Sequence, residues 1–212
     1  MRLRKCPSGS PSNGGCDFAA DPDLSADRAP VVWLPHLNPA TVIVAPAPTE
    51  FTDARSMGEL TPAFSRRTTN GEHWLLGQGA NALPVALMRD VDTARPAAVV
   101  IPLDSSFSTR IGAARLLRRA MTGGASGRAP DALTAQQRSR LRLILRGLDG
   151  RLAGCSYRAI AEVLFGRGSV PAGREWKTHE VRGRTIRLCD RGLDLMDGEY
   201  LNLLRRPRRF RA

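Results

Sequence analysis

Between His179 and Arg191 the sequence places Val181, Thr185, Leu188 and Cys189 at offsets 0, 4, 7 and 8, the repeat of a helix with one narrow inner face. At 100° per residue, Arg184, Arg187 and Arg191 then fall within about 60° of one another on an outer flank. A guanidinium is planar, always charged and carries its donors in a fork, so such a flank can clamp phosphate oxygens or bind the O6 and N7 edge of guanine. Gly183 beside the arginines would let a sugar-phosphate strand come close to the helix backbone. The same flank would also suit a solvated helix whose arginines pair with Glu180 and Asp190.

Further basic and polar groups surround this segment. Arg174 and Lys177 precede it, Thr178 stands where a helix N-cap is expected, and His179 and Arg182 follow. Arg158 lies on a shorter helical segment upstream, and the chain ends in Arg205, Arg206, Arg208 and Arg209 around Pro207. A proline-broken arginine tail cannot form a core; it resembles arms that enter a minor groove or lie along phosphates, and a free solvated tail has the same composition. The candidate nucleic-acid contacts are these thirteen residues. Arg184 and Arg187 are assigned to bases, and Arg158, Arg174, Lys177, Arg191 and the tail to phosphates.

The distribution of charge supports a polyanionic partner. Residues 1–106 hold 9 Lys and Arg against 11 Asp and Glu, whereas residues 107–212 hold 23 against 9. The whole positive excess of the +12 chain therefore lies in its second half. Such a surface attracts nucleic acid through counterion release. Lys5 and Lys177 are the only lysines among 32 basic residues. GC-rich coding accounts for that preference for arginine, but not for the difference between the halves.

Other chemistries find little support. The three histidines, His36, His73 and His179, form no metal pair, and no glycine-rich phosphate loop follows a strand. Cys6, Cys16, Cys155 and Cys189 are too far apart for a zinc knuckle, and Cys155, at a helix entrance, has no histidine near it in sequence. No enzyme, metal or cofactor is expected. No run approaches the roughly 18 apolar residues of a membrane span, and no apolar stretch follows the basic Met1–Lys5, so a cytoplasmic protein is expected.

The elements that must position the arginines can be read from apolar spacing. Residues 1–30, rich in Ser, Pro, Gly and Asp, are expected to be disordered. From Val31, short apolar runs separated by turn residues (31–34, 41–44, 73–76, 83–88 and 97–103) predict a small, mostly antiparallel sheet. An amphipathic helix over Arg110 to Met121 closes this β-rich lobe, residues 31–121, and the joint near 122–131 is rich in Gly, Ala and Ser.

The second lobe, 129–206, is expected to be all-α, with 205–212 as a basic tail. Thr134 and Gln137 form a capping box for a helix with Leu141, Ile144, Leu145, Leu148 and Leu152 as its inner stripe. Gly154 ends it, Ser156 caps a short helix from Tyr157 to Phe165, and Gly192 is expected to cap the arginine helix. Leu193 to Leu204 then fold back, with Tyr200 as a packing residue. The fold class is thus α+β, a strand-rich lobe followed by a helix-turn-helix-like one.

The composite of Leu148-Asp149-Gly150, Gly154-Cys155-Ser156-Tyr157-Arg158, Ile160-Ala161, Leu164-Phe165-Gly166, Trp176-Lys177, Arg187, Arg191-Gly192 and Tyr200-Leu201-Asn202-Leu203-Leu204 resembles the RovC-like DNA-binding domain, also catalogued as DUF2285. The resemblance implies a helix-turn-helix variant found in regulators of mobile elements, conjugative transfer and type VI secretion. The expected function is a sequence-specific, double-stranded-DNA-binding transcriptional regulator. The alternative is an antiactivator that sequesters a related regulator protein without binding DNA, since some members bind a partner protein. Helix-turn-helix proteins commonly bind pseudo-palindromes as dimers, so a homo-oligomer is expected. One departure stands out: nine residues, Arg167 to Glu175, separate Gly166 from Trp176 where a simple motif uses three or four.

Overall fold

Alternating apolar residues build the sheet that opens this α+β chain. The computed structural model describes residues 31–78, 82–123 and 133–205, and the chain divides into two units, Met1–Ala132 with Leu204–Ala212, and Leu133–Leu203. In the first, β1 (Val42–Pro46), β2 (Phe64–Thr68), β3 (Gly71–Leu76), β4 (Leu83–Met88) and β5 (Ala97–Val100) lie in the order β2-β3-β4-β1-β5. β1 runs parallel to β4, and the other neighbours are antiparallel. Val42, Val44, Trp74, Leu76, Val85 and Leu87 share one buried face, onto which α1 (Phe107–Met121) lays Ala113 and Leu117. Full burial of a side chain such as Leu117 contributes about 1.5 to 3 kcal/mol.

Three strand expectations need correction. Val31–Leu34 forms no strand, because the Leu34 carbonyl accepts from the N–H groups of Leu37 and Asn38 and commits the backbone to a turn, while Val32 is buried. The run 97–103 pairs only as far as Val100: Pro102 has no N–H for a ladder, and Leu103 is 92% exposed. β2 was not foreseen, since its Ser-Arg-Arg centre is polar on both faces, as suits an edge strand. Its signal is the two-residue turn Thr69-Asn70 between the paired Thr68 and Gly71. Gly71 has φ +136°, and a Cβ there would stand 2.0 Å from the Leu87 carbonyl oxygen.

α1 starts at Phe107 rather than Arg110, and Arg110 is buried. Its guanidinium forks onto Asp104, with Nη2 to Oδ2 at 2.7 Å and Nε to the two oxygens at 3.2 and 3.1 Å, and donates from Nη1 to the Pro35 carbonyl at 3.2 Å. The hydrogen bond from Arg110 holds the Asp104 carboxyl below its ordinary range. A folded-state pKa below the unfolded value gives stability that is complete above the unfolded pKa and is lost as pH falls through the carboxylate range. Asp104→Asn should therefore lower the melting temperature at neutral pH and flatten its decline between about pH 5 and 3, as measured by thermal melts at a series of pH values.

In the second unit, α2 (Ala135–Leu152) opens on the expected capping box: Gln137 N–H donates to Thr134 Oγ1 at 3.1 Å, and Thr134 N–H to Gln137 Oε1 at 2.9 Å. Its buried face is Ile144, Gly147 and Leu148, whereas Leu145 and Leu152 of the expected stripe are 55% and 61% exposed. The rotation brings glycine to the crossing with α4 (Glu180–Asp194), where the Cys189 thiol lies on the Gly147 carbonyl at 3.5 Å. Gly192 does not cap α4 but lies buried within it. A Cβ there would be 2.8 Å from Leu148 Cβ and 3.3 Å from the Ile144 carbonyl oxygen. Gly150 makes room in the same way for Ile160 of α3 (Tyr157–Phe165), 2.8 Å from where its Cβ would stand.

After Asp194 one π turn, Leu195–Glu199, leads through Gly198 at φ +117° into α5 (Leu201–Leu204). Leu195, Tyr200 and Leu203 return to pack with Ile144 and Leu188, so the half-buried Tyr200 is a packing residue as expected. The expected disorder of 1–30, most of the joint and the tail beyond Arg205 lie outside the described residues.

Candidate nucleic-acid interface

α3 and α4 follow from two short-range caps. Ser156 Oγ accepts from Ala159 N–H at 3.2 Å and starts α3, which turns Ile160 and the fully buried Ala161 inward. The start of α4 differs from expectation: His179, not Thr178, is the N-cap, its Nδ1 accepting from Val181 N–H at 3.3 Å. Thr178 instead donates to the Glu175 carbonyl at 3.4 Å. Both side chains are thus engaged with backbone.

The nine-residue insertion has its own structure. Gly166 ends α3 at φ +87°, a 3-10 turn follows over Arg167–Ser169, and a second over Gly173–Lys177 runs almost directly into α4. Val170, buried between the two turns, anchors the insertion, and this apolar contact was not foreseen. Arg167, Arg174 and Lys177 stay exposed on it.

Within α4, Thr185, Leu188, Cys189 and Gly192 face inward, close to the predicted inner face. Thr185 is fully buried and satisfies its hydroxyl on the Val181 carbonyl at 2.8 Å. Burial also pushes the Cys189 thiol above its usual pKa, as suits a packing thiol. The outer arginines do not share one environment. Arg184 and Arg187 are exposed, and among the described residues neither has an acidic group within ion-pair distance. The Arg184 guanidinium lies over the Phe165 ring, 4.7 Å from its centroid. Arg191 is half-buried and held by Asp194 at 3.7 Å and by Glu199. Arg158 is similarly engaged, with Glu162 at 3.2 Å.

Neither acid partner of Arg191 is one of the two, Glu180 and Asp190, that the sequence brings forward. Asp194, three residues on, was within reach of helical spacing. Glu199 meets Arg191 only because of the π turn. Arg182 is half-buried, Arg205 is exposed at the end of the described residues, and Arg206, Arg208 and Arg209 lie beyond them.

A family model described as T6SS, transcription factor, DNA-binding domain, the RovC DNA-binding domain, matches residues 100–205, half of the chain. The chain belongs to the RovC DNA-binding domain family. The matched RovC region takes in α1 as well as the helical unit, and so begins earlier than the 129–206 span read from the residues. It contains every element that carries Arg184, Arg187, Arg174 and Lys177. No curated protein and no solved structure matches the chain. Among the described residues no cluster of His, Cys, Asp or Glu could hold a metal ion, and no helix is long and apolar enough to cross a membrane.

Proposed function

We propose that this protein is a sequence-specific transcriptional regulator that inserts the outer side of α4 into the major groove of double-stranded DNA. The observation that carries the reading is the contrast between Arg184 and Arg187, exposed and without an acid partner among the described residues, and Arg158 and Arg191, which are paired with acids within the chain. Only a guanidinium free of internal acids can fork onto a guanine without first breaking an ion pair. Arg184 and Arg187 are assigned to bases; Arg174 and Lys177, on the turn before α4, are assigned to phosphate. Arg182, the capping His179 and Thr178, and the arginines from Arg205 onward are assigned to the margins of the contact. The proposed protein is a cytoplasmic homo-oligomer on a pseudo-palindromic site, with no catalytic role.

The test is a fluorescence-anisotropy titration of the full-length protein with a duplex enriched from a random library and with its scrambled counterpart, at several salt concentrations. Tight, salt-dependent binding with a strong preference for the enriched duplex is expected. Lys177→Ala should weaken both duplexes by a similar factor and reduce the salt slope by about 1. Failure to enrich any duplex, together with capture of a related regulator, would instead establish the sequestering antiactivator.

A further inference from the structure

Two uncharged residues stand against the two arginines assigned to bases. Phe165, the last residue of α3, is half-buried against the core of the helical unit and carries the Arg184 guanidinium over its ring at 4.7 Å. Gly183 lies inside α4, one turn before Arg187, and a Cβ there would stand 3.2 Å from Arg187 Nη1. Among the described residues, nothing else outside the two adjoining residues and the helix's own backbone comes within 4 Å of that point. The guanidinium of Arg187 therefore borders the space that a side chain at 183 would fill.

Glycine is a poor helix former, so its presence inside α4 needs a reason. Gly192 has one, because α2 crosses there. Gly183 has no such crossing, and its φ is not among the positive ones. The nearby guanidinium supplies one reason, and the close approach of a sugar-phosphate strand is the other.

We infer that Phe165 and Gly183 are positioning residues, which seat the Arg184 and Arg187 guanidiniums at fixed places on the outer side of α4 and thereby set its base preference. The inference rests on the DNA reading of α4. A free arginine samples many rotamers; the Arg184 guanidinium already stacked on a ring has less freedom to lose when it meets a base, and the bare backbone at 183 leaves open the place along α4 that the Arg187 guanidinium occupies. Aromatic stacking also leaves the in-plane N–H donors of Arg184 free to point outward.

Double-mutant cycles with the enriched and scrambled duplexes test this in the full-length protein. Gly183→Leu and Phe165→Leu should each reduce the preference for the enriched duplex at least about fivefold, with scrambled binding changed by less than about twofold. Gly183→Leu should have no further effect once Arg187→Ala is present, and Phe165→Leu none once Arg184→Ala is present. Phe165→Trp, which keeps an aromatic face, should retain the preference even if Phe165→Leu melts early. Multiplicative effects within either cycle would overturn the seating, because Gly183 would then be clearance for the DNA strand and Phe165 a core residue only. If Arg184→Ala and Arg187→Ala lose the preference while Gly183→Leu keeps it, or while a folded Phe165→Trp loses it, the seating is likewise overturned. Should the two arginine variants themselves keep full preference, the DNA reading of α4 falls, and the seating with it.

Discussion

Replacing Arg184 and Arg187 together with alanine should lower affinity for the enriched duplex by about 2 to 6 kcal/mol, since one bidentate arginine-guanine contact is worth about 1 to 3. Even the lower bound is roughly thirtyfold in Kd. The scrambled duplex should lose far less, because phosphate contacts from Arg174 and Lys177 remain. Melting should stay near wild type, as both side chains are exposed and neither has an internal acid partner among the described residues. Arg191→Ala should behave in the opposite way. It removes a half-buried guanidinium from Asp194 and Glu199, so it should disturb the π turn and the melt more than the base preference. The anisotropy titrations, read beside thermal melts, separate the two patterns.

Gly192→Val should be the most damaging single change to the helical unit. Its Cβ would be 2.8 Å from Leu148 Cβ and 3.3 Å from the Ile144 carbonyl oxygen, the second a backbone atom with no rotamer to escape into. α2 and α4 would have to separate and loosen Ile144, Leu188 and Leu195, which form the core there. Overpacking of this kind costs about 1 to 3 kcal/mol, and loss of the packed face adds to it, for a total of about 3 to 5. Gly183→Ala, nine residues earlier on the outer side, should instead raise stability by up to about 1 kcal/mol, because alanine favours the helix and the neighbouring guanidinium can shift. Urea unfolding followed by circular dichroism gives both signs, and DNA binding should be lost in Gly192→Val only as far as folding is.

The local elements were legible because their signals are local. The Thr134–Gln137 box and the Ser156 cap operate within four residues, so α2 and α3 begin where composition places them. The inner face of α4 follows from its 3.6-residue period, with Thr185, Leu188 and Cys189 buried. β2 was missed because an edge strand need not alternate, and its turn, Thr69-Asn70, was the clearer sign.

The sequence by itself determined the helices of the second unit, the α+β order, and which side of α4 carries arginine, since spacing and capping depend on neighbours a few residues away. The tertiary structure alone decided which of those arginines stay free of acids among the described residues. Arg191 is taken by Glu199 across a turn that reverses at Gly198, and Arg184 rests on Phe165 from another helix. It also decided that Gly192 is a crossing point rather than a cap, because a helix without a side chain can approach its neighbour closely, and nothing in the local sequence reveals where that neighbour will be.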